Sequence, residues 1–138
     1  MELILYGETD KIFYIDVVDK ELKGLFKKER FNKQVYEDWL DLHLKKLDRT
    51  DLSILLNDPT RPIEKLSGGK DNLYALRYLK GAINVRVIFS SVELPDSDII
   101  YILLIAFKEN NKRDYTNAIS TAQKRMKVIP QLIKDALM

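Results

Sequence analysis

The chain has 138 residues, of which 46% are hydrophobic, and it contains no cysteine. This length and composition predict one domain over residues 1–138, and the absence of cysteine excludes disulfides, thiolate metal sites and cysteine nucleophiles. No segment reaches the roughly 18 apolar residues of a membrane span, and the N-terminus lacks a secretory signal pattern, so we expect a cytoplasmic protein with no membrane partner.

The net charge of +2 is unevenly distributed along the chain. Residues 1–60 hold ten Lys and Arg against thirteen Asp and Glu, a net charge of −3, whereas residues 61–138 hold thirteen against eight, a net charge of +5. A basic half attracts polyanions such as nucleic acid, although a charge of this size is also ordinary in a soluble domain.

Strand patterns open the chain and helical spacing follows. The apolar runs ELILY and KIFYIDVV surround the turn-like GETD, which predicts a strand or a hairpin. Asp19 and Asn32 are the predicted caps of two helices that form an αα-hairpin, and TDLSILLND predicts one or two more helical turns before Pro59 and Pro62. The apolar positions of the two helices are Leu22, Leu25, Phe26, Val35, Trp39, Leu42 and Leu47.

The second half alternates short apolar runs with turns. IEKL, LYALRYL, INVRVIF and DIIYILLIAF are separated by SGG, by KG and by a polar stretch around Pro95, which predicts an antiparallel meander. IIYILLIAF has no polar alternation and is the predicted central strand, buried on both faces. A last helix is predicted from Asp114 as its cap. The predicted fold is α+β: a twisted antiparallel sheet with the N-terminal helices on one face and a C-terminal helix near an edge.

Few residues support metal or triad chemistry. His43 is the only histidine, so no second histidine can complete a metal site or a catalytic triad. Glu37, Asp38 and Asp41 lie among lysines on one predicted helix and indicate a solvated acidic face. SGGKDN lacks the strand and helix context of a phosphate loop and is interpreted as a turn. We expect no metal and no cofactor.

A set of basic side chains remains as the candidate site. In a meander these residues can converge on one edge and cradle phosphates, or they can be ordinary exposed charges, and the residues alone leave both interpretations open. Whether the two arginines share a face depends on strand register. The set consists of Lys65, Arg77, Arg86, Lys108, Lys112 and Arg113.

Several short patterns follow one another in the second half. They are PIEKL before a glycine turn, LYALR, RVI, an apolar strand that ends at Phe107, the loop KENNKR, and a helix with Ile119, Ala122 and Arg125. From about Leu40 to Val128 the chain thereby resembles the RelE/HigB branch of toxins from bacterial and phage toxin–antitoxin pairs. Members of that branch commonly carry Glu where this chain has Ala75, a histidine where it has Ile105, and a more basic loop than KENNKRDY.

The resemblance implies a RelE-like fold and a ribosome-dependent endoribonuclease that cuts mRNA and inhibits translation. It also implies a cognate antitoxin partner, HigA-like with a helix-turn-helix domain. RNA cleavage by attack of the 2′-hydroxyl on the adjacent phosphate requires charge stabilisation more than it requires a metal, so the chemistry agrees with the residues present. The departures in the loop weaken the expectation of catalysis more than that of the fold.

On this interpretation the catalytic residues are Arg77, Arg86 and Lys65, and the RNA-binding residues are Lys108, Lys112, Arg113 and Tyr115. The two arginines are expected to lie without carboxylate partners, because the nearest acids are predicted to lie at strand ends or in turns; these are Glu64, Asp71 and Glu93. The alternatives are a non-catalytic or ParE-like toxin that binds a protein target, and a phage or mobile-element protein that uses the sheet for assembly. The residues expected to be largely buried are Trp39, Leu42, Leu76, Val87, Leu103 and Phe107.

Overall fold

A computed structural model describes residues 1–28, 33–60, 62–66, 72–78 and 84–138. These residues form an α+β structure with a six-stranded mixed sheet in the order β1-β2-β6-β5-β4-β3. The strands are β1 (Leu3–Leu5), β2 (Ile12–Ile15), β3 (Ile63–Lys65), β4 (Leu73–Tyr78), β5 (Val85–Glu93) and β6 (Ile99–Lys108). The helices are α1 (Asp16–Lys28), α2 (Lys33–Arg49), α3 (Leu52–Leu56), α4 (Lys112–Met126) and α5 (Ile129–Leu137). No helix within the described residues is long and apolar enough to cross a membrane.

The antiparallel meander predicted for the second half is confirmed. Strands β3, β4, β5 and β6 pair antiparallel in chain order, and β1 pairs antiparallel with β2, as the predicted hairpin requires. Strand β6 lies inside the sheet with residues 100–106 buried, because a strand covered on both faces needs no polar alternation. The predicted turns SGG and KG lie outside the described residues.

The prediction of a wholly antiparallel sheet is wrong at one pairing. Strand β2 runs parallel to β6, with Phe13 opposite Ile102. No short turn joins these two strands, so local sequence does not dictate their relative direction. Helix α1 begins at Asp16, directly after β2, and therefore before the predicted cap at Asp19.

The prediction for the buried face of α2 holds at Leu47 and is wrong at Val35 and Leu42. Leu42 is 52% exposed and Val35 is 49% exposed, whereas Trp39 is partly buried. The ring of Tyr36 stacks on Phe26 at 5.7 Å. This aromatic contact orients the helix so that its buried residues are Tyr36, Leu40, Leu44 and Leu47. The predicted cap Asn32 lies outside the described residues.

Of the other residues expected to be buried, Leu76, Val87 and Leu103 are confirmed, and Phe107 is partly buried. The N-cap of α4 is Asn111 and not Asp114. Asp114 is the third helical residue of a capping box, in which its backbone N–H donates to Asn111 Oδ1 at 3.1 Å. Helix α5 was not predicted, although Pro130 at its first turn is a typical start signal.

An ion pair lies against the edge of β6, at residues that extend past the end of its short neighbour β2. Arg125 of α4 donates from Nη1 and Nη2 to the two carboxylate oxygens of Glu21 in α1, at 3.1 and 3.0 Å. The same pair satisfies the strand backbone, because Arg125 Nη1 donates to the carbonyl of Leu104 at 2.7 Å and Glu21 Oε1 accepts from the N–H of Ala106 at 3.2 Å. The pair thus joins α1, β6 and α4.

Candidate functional site

The register of the meander brings the two arginines together. Arg77 of β4 lies directly opposite Arg86 of β5, and Arg86 lies opposite Phe107 of β6. Residues directly opposite each other across an antiparallel pair share a face, so these side chains project from the same side of the sheet. We call this side the arginine face.

Glu64 of β3 projects from the arginine face as well. It lies opposite Ala75, two residues before Arg77 on β4, and the small alanine side chain leaves space along that face. Glu64 Oε2 is 3.4 Å from Arg77 Nη1, and Oε1 is 3.4 Å from Arg86 Nη1. One carboxylate therefore bridges two like charges that would otherwise destabilise the paired strands.

A second carboxylate binds Arg86 from the other side. Glu109, directly after β6, accepts a hydrogen bond from Arg86 Nε. Its backbone N–H donates to the carbonyl of Asn84 at 2.8 Å, and the Asn84 side-chain amide donates to Glu109 Oε2 at 3.3 Å. Arg86 is 9% exposed overall, so its guanidinium is held by carboxylates in a largely buried position.

Tyr115 of α4 completes the cluster. Its hydroxyl donates to Glu64 Oε1 at 2.9 Å, and its ring lies 5.0 Å from the guanidinium carbon of Arg86. Burial raises the pKa of Tyr115 above its ordinary value, and the hydrogen bond and negative charge of Glu64 raise it further, more than Arg86 lowers it. The phenol is therefore protonated at neutral pH and acts as a hydrogen-bond donor.

The expectation that the two arginines lack carboxylate partners is wrong. It placed the nearest acids at strand ends or in turns, whereas Glu64 is the middle residue of the edge strand β3 and reaches Arg77 and Arg86 across strands. A signal for Glu64 was available, since alternation from the apolar Ile63 places the next side chain on the opposite face. Glu109 gave no comparable signal, because it was interpreted only as a departure from the more basic loop of the toxins.

The structure separates two of the predicted lysines from the arginines. Lys65 lies opposite Tyr74, and Lys108 lies opposite Val85, so alternation directs both away from the arginine face. Lys112 is exposed one turn before Tyr115 on the same side of α4, which places it beside the cluster. Arg113 is exposed on a different side of α4. Lys65 and Lys108 are thus poorly placed for the catalytic and RNA-binding roles expected of them.

The cluster combines the groups needed to bind and activate a phosphodiester. Arginine donates hydrogen bonds suited to phosphate oxygens, a carboxylate can accept a proton, and a protonated phenol can donate one. The two arginines and the two glutamates cancel each other in formal charge, so an anion entering the site meets guanidinium groups that already have partners. The cluster consists of Glu64, Arg77, Arg86, Glu109 and Tyr115.

Within the described residues, no group of three or more His, Cys, Asp or Glu side chains is arranged to hold a metal ion. The chain was also compared with protein-family models, with curated proteins and with solved structures, and none of these comparisons finds a match.

Proposed function

We propose that the chain is a RelE/HigB-type toxin, a metal-independent endoribonuclease that cleaves mRNA on the ribosome and is neutralised by a cognate antitoxin. One observation carries the proposal: Arg77 and Arg86 lie opposite each other on one sheet face, in contact with a carboxylate that also binds a tyrosine hydroxyl. The antiparallel strands β3 to β6 followed by α4 also agree with the order of strands and helix that the sequence resemblance implies.

In the proposed reaction the arginines bind the scissile phosphate. The 2′-hydroxyl of the preceding nucleotide attacks the phosphorus atom, and the bond from phosphorus to the 5′-oxygen of the next nucleotide breaks. The products are a 2′,3′-cyclic phosphate and a 5′-hydroxyl. Negative charge grows on the phosphate oxygens in the transition state, where guanidinium donors stabilise it most strongly.

Glu64 is the proposed general base. Its carboxylate accepts a hydrogen bond from the Tyr115 hydroxyl at 2.9 Å. Its side chain is 37% exposed, so a substrate hydroxyl can reach it. A base must lie within hydrogen-bond reach of the proton that it removes. Tyr115 is the proposed donor to the departing 5′-oxygen, because its hydroxyl lies 2.9 Å from Glu64 and a tyrosine hydroxyl is protonated at neutral pH.

Mapping the 5′ ends of cellular messages after induced expression tests the proposal. We expect cuts in phase with codons in the wild type. Arg77→Ala should remove about 2.7–4 kcal/mol of transition-state stabilisation, a loss of roughly 10²–10³ in cleavage rate. Arg77→Lys should recover part of the activity, because it restores the charge without the paired donors.

Lys65→Ala is the matched control, since it also removes one positive charge from a strand of the meander but on the opposite face. It should retain most of the cleavage. Equal cleavage by wild type and Arg77→Ala, or growth inhibition without any message cleavage, would contradict the proposed ribonuclease.

A second candidate function is a toxin that binds a protein target without cleaving RNA. The carboxylates on both arginines favour it, because they neutralise the charge that RNA binding would use. Growth inhibition that persists in Arg77→Ala and leaves messages intact would support this candidate. In either case co-expression of the cognate antitoxin, proposed to be a HigA-like helix-turn-helix protein, should restore growth.

A further inference from the structure

The two carboxylates of the cluster hold the arginines in different ways. Glu64 is shared between Arg77 and Arg86 at 3.4 Å each, and its side chain keeps 37% of its exposure. Glu109 binds Arg86 and accepts from the Asn84 amide, and the side chains of Glu109 and Arg86 keep only 16% and 11% of their exposure. Glu64 is thus the partner that solvent or a substrate can reach, and Glu109 is the more enclosed one.

Glu109 is fixed in place by the end of the sheet. Its backbone N–H binds the Asn84 carbonyl at 2.8 Å, which extends the pairing of β5 and β6, and the Asn84 side chain donates to its carboxylate at 3.3 Å. A rotation of the Glu109 side chain away from Arg86 would break the second of these bonds together with the ion pair. The Glu109 carboxylate is therefore held in place as the counter-ion of Arg86.

This position affects how Arg86 can meet a phosphate. A guanidinium binds an oxyanion most strongly through two parallel N–H donors, and one such edge consists of Nε and Nη2. Glu109 accepts from Nε, and Glu64 lies at Nη1. While Glu109 stays in place, Arg86 cannot offer its Nε edge to an incoming phosphate, and its charge is compensated.

We propose that Glu109 is an internal attenuator of the site, a carboxylate that occupies the phosphate-binding edge of Arg86 and lowers the affinity for RNA. The proposal rests on the proposed function, since it takes RNA phosphate as the ligand. Its consequence is that removal of the Glu109 charge increases RNA binding, which is the opposite of the usual effect of altering a residue that positions a binding arginine.

The test measures binding of a short single-stranded RNA that carries 2′-O-methyl groups and so cannot be cleaved. Glu109→Gln keeps the size of the side chain and an oxygen that accepts from Arg86, while it removes the charge. We expect it to bind the RNA about tenfold more tightly than the wild type at the same ionic strength. Glu93→Gln, the same change at an exposed position at the far end of β5, should alter affinity less than twofold.

The double variant Arg86→Ala with Glu109→Gln should show none of the gain, because the effect acts through Arg86. Affinity of Glu109→Gln equal to or below that of the wild type would overturn the attenuation. If Arg77→Ala and Arg86→Ala also fail to weaken binding, the proposed function itself is wrong, so the two failures are distinguishable. Thermal unfolding of each variant verifies folding. Should Glu109→Gln not fold, Asn84→Ala removes one of the hydrogen bonds that hold the Glu109 carboxylate, and it must bind the RNA more tightly than the wild type or the proposal fails.

Discussion

Arg125→Ala is expected to destabilise the whole domain, because one side chain joins three elements. The guanidinium donates twice to Glu21 and once to the carbonyl of Leu104, a residue with no exposed surface. Truncation leaves that carbonyl and the Glu21 carboxylate without this donor, at an edge of the central strand where no other strand of the described residues pairs with residues 104–108 on that side.

The magnitude follows from the burial of the groups left behind. A hydrogen bond to a charged group contributes about 1.5–3 kcal/mol, and breaking a buried ion pair costs about 3–5 kcal/mol. The side chains of Arg125 and Glu21 keep 15% and 23% of their exposure, so solvent reduces the second figure. We expect a loss of about 2–4 kcal/mol in the free energy of unfolding, and a midpoint of thermal unfolding lower by about 10 °C.

Urea unfolding followed by the fluorescence of Trp39 measures this loss directly. Glu21→Gln should cost less, about 1–2 kcal/mol, since the amide oxygen still accepts from the Ala106 N–H. Lys124→Ala, next to Arg125 on α4 but exposed, should change stability by less than about 0.5 kcal/mol. A stability of Arg125→Ala within 0.5 kcal/mol of the wild type would refute the reasoning.

Three further predictions concern packing and ionisation. Leu40→Ala should cost about 2–4 kcal/mol and Leu42→Ala less than 0.5 kcal/mol in urea unfolding, because Leu40 is 4% exposed and Leu42 is 52% exposed; the reverse order would contradict the orientation of α2. Burial raises the pKa of Tyr6 and Tyr115 above the ordinary value of 10.0, so the stability that they contribute is complete below about pH 10 and is lost as pH rises toward their folded-state pKa. Tyr115→Phe should therefore show a shallower decline of unfolding free energy above pH 10 than the wild type, and an unchanged slope would count against the raised pKa. Ser90→Ala should be neutral or stabilising by up to about 1 kcal/mol, since its buried hydroxyl has no hydrogen-bond partner within the described residues; a loss above 1 kcal/mol would show that the hydroxyl is satisfied.

Much of the sheet followed from local patterns in the sequence. Turn residues between short apolar runs predicted the meander, and the lack of polar residues in β6 predicted its central position, because burial on both faces acts directly on composition. The parallel pairing of β2 with β6 did not follow, since it joins strands that no local turn connects. The buried face of α2 was predicted wrongly because two sets of apolar residues have helical spacing, and contacts of Tyr36 with Phe26 and Tyr78 decide between them.

The candidate site was predicted in part for a similar reason. Residue types in the second half pointed to Arg77, Arg86 and Tyr115, which the structure brings together. Glu64 was not predicted as their partner, because it lies 22 residues from Arg86 along the chain and meets it through the register of three strands. Register also decides that Lys65 projects from the opposite face, although it is adjacent to Glu64.

The chemical form of the RNA ends tests the proposed ribonuclease most directly. Purified protein is mixed with ribosomes translating a defined message, in the presence of a metal chelator added after the complexes have formed and at a concentration that leaves them intact. We predict fragments with a 2′,3′-cyclic phosphate on one side of the cut and a 5′-hydroxyl on the other, produced at least 100-fold more slowly by Glu64→Gln and by Arg77→Ala. An intact message, or the same cleavage by the wild type and both variants, would contradict the proposal that this cluster cuts RNA.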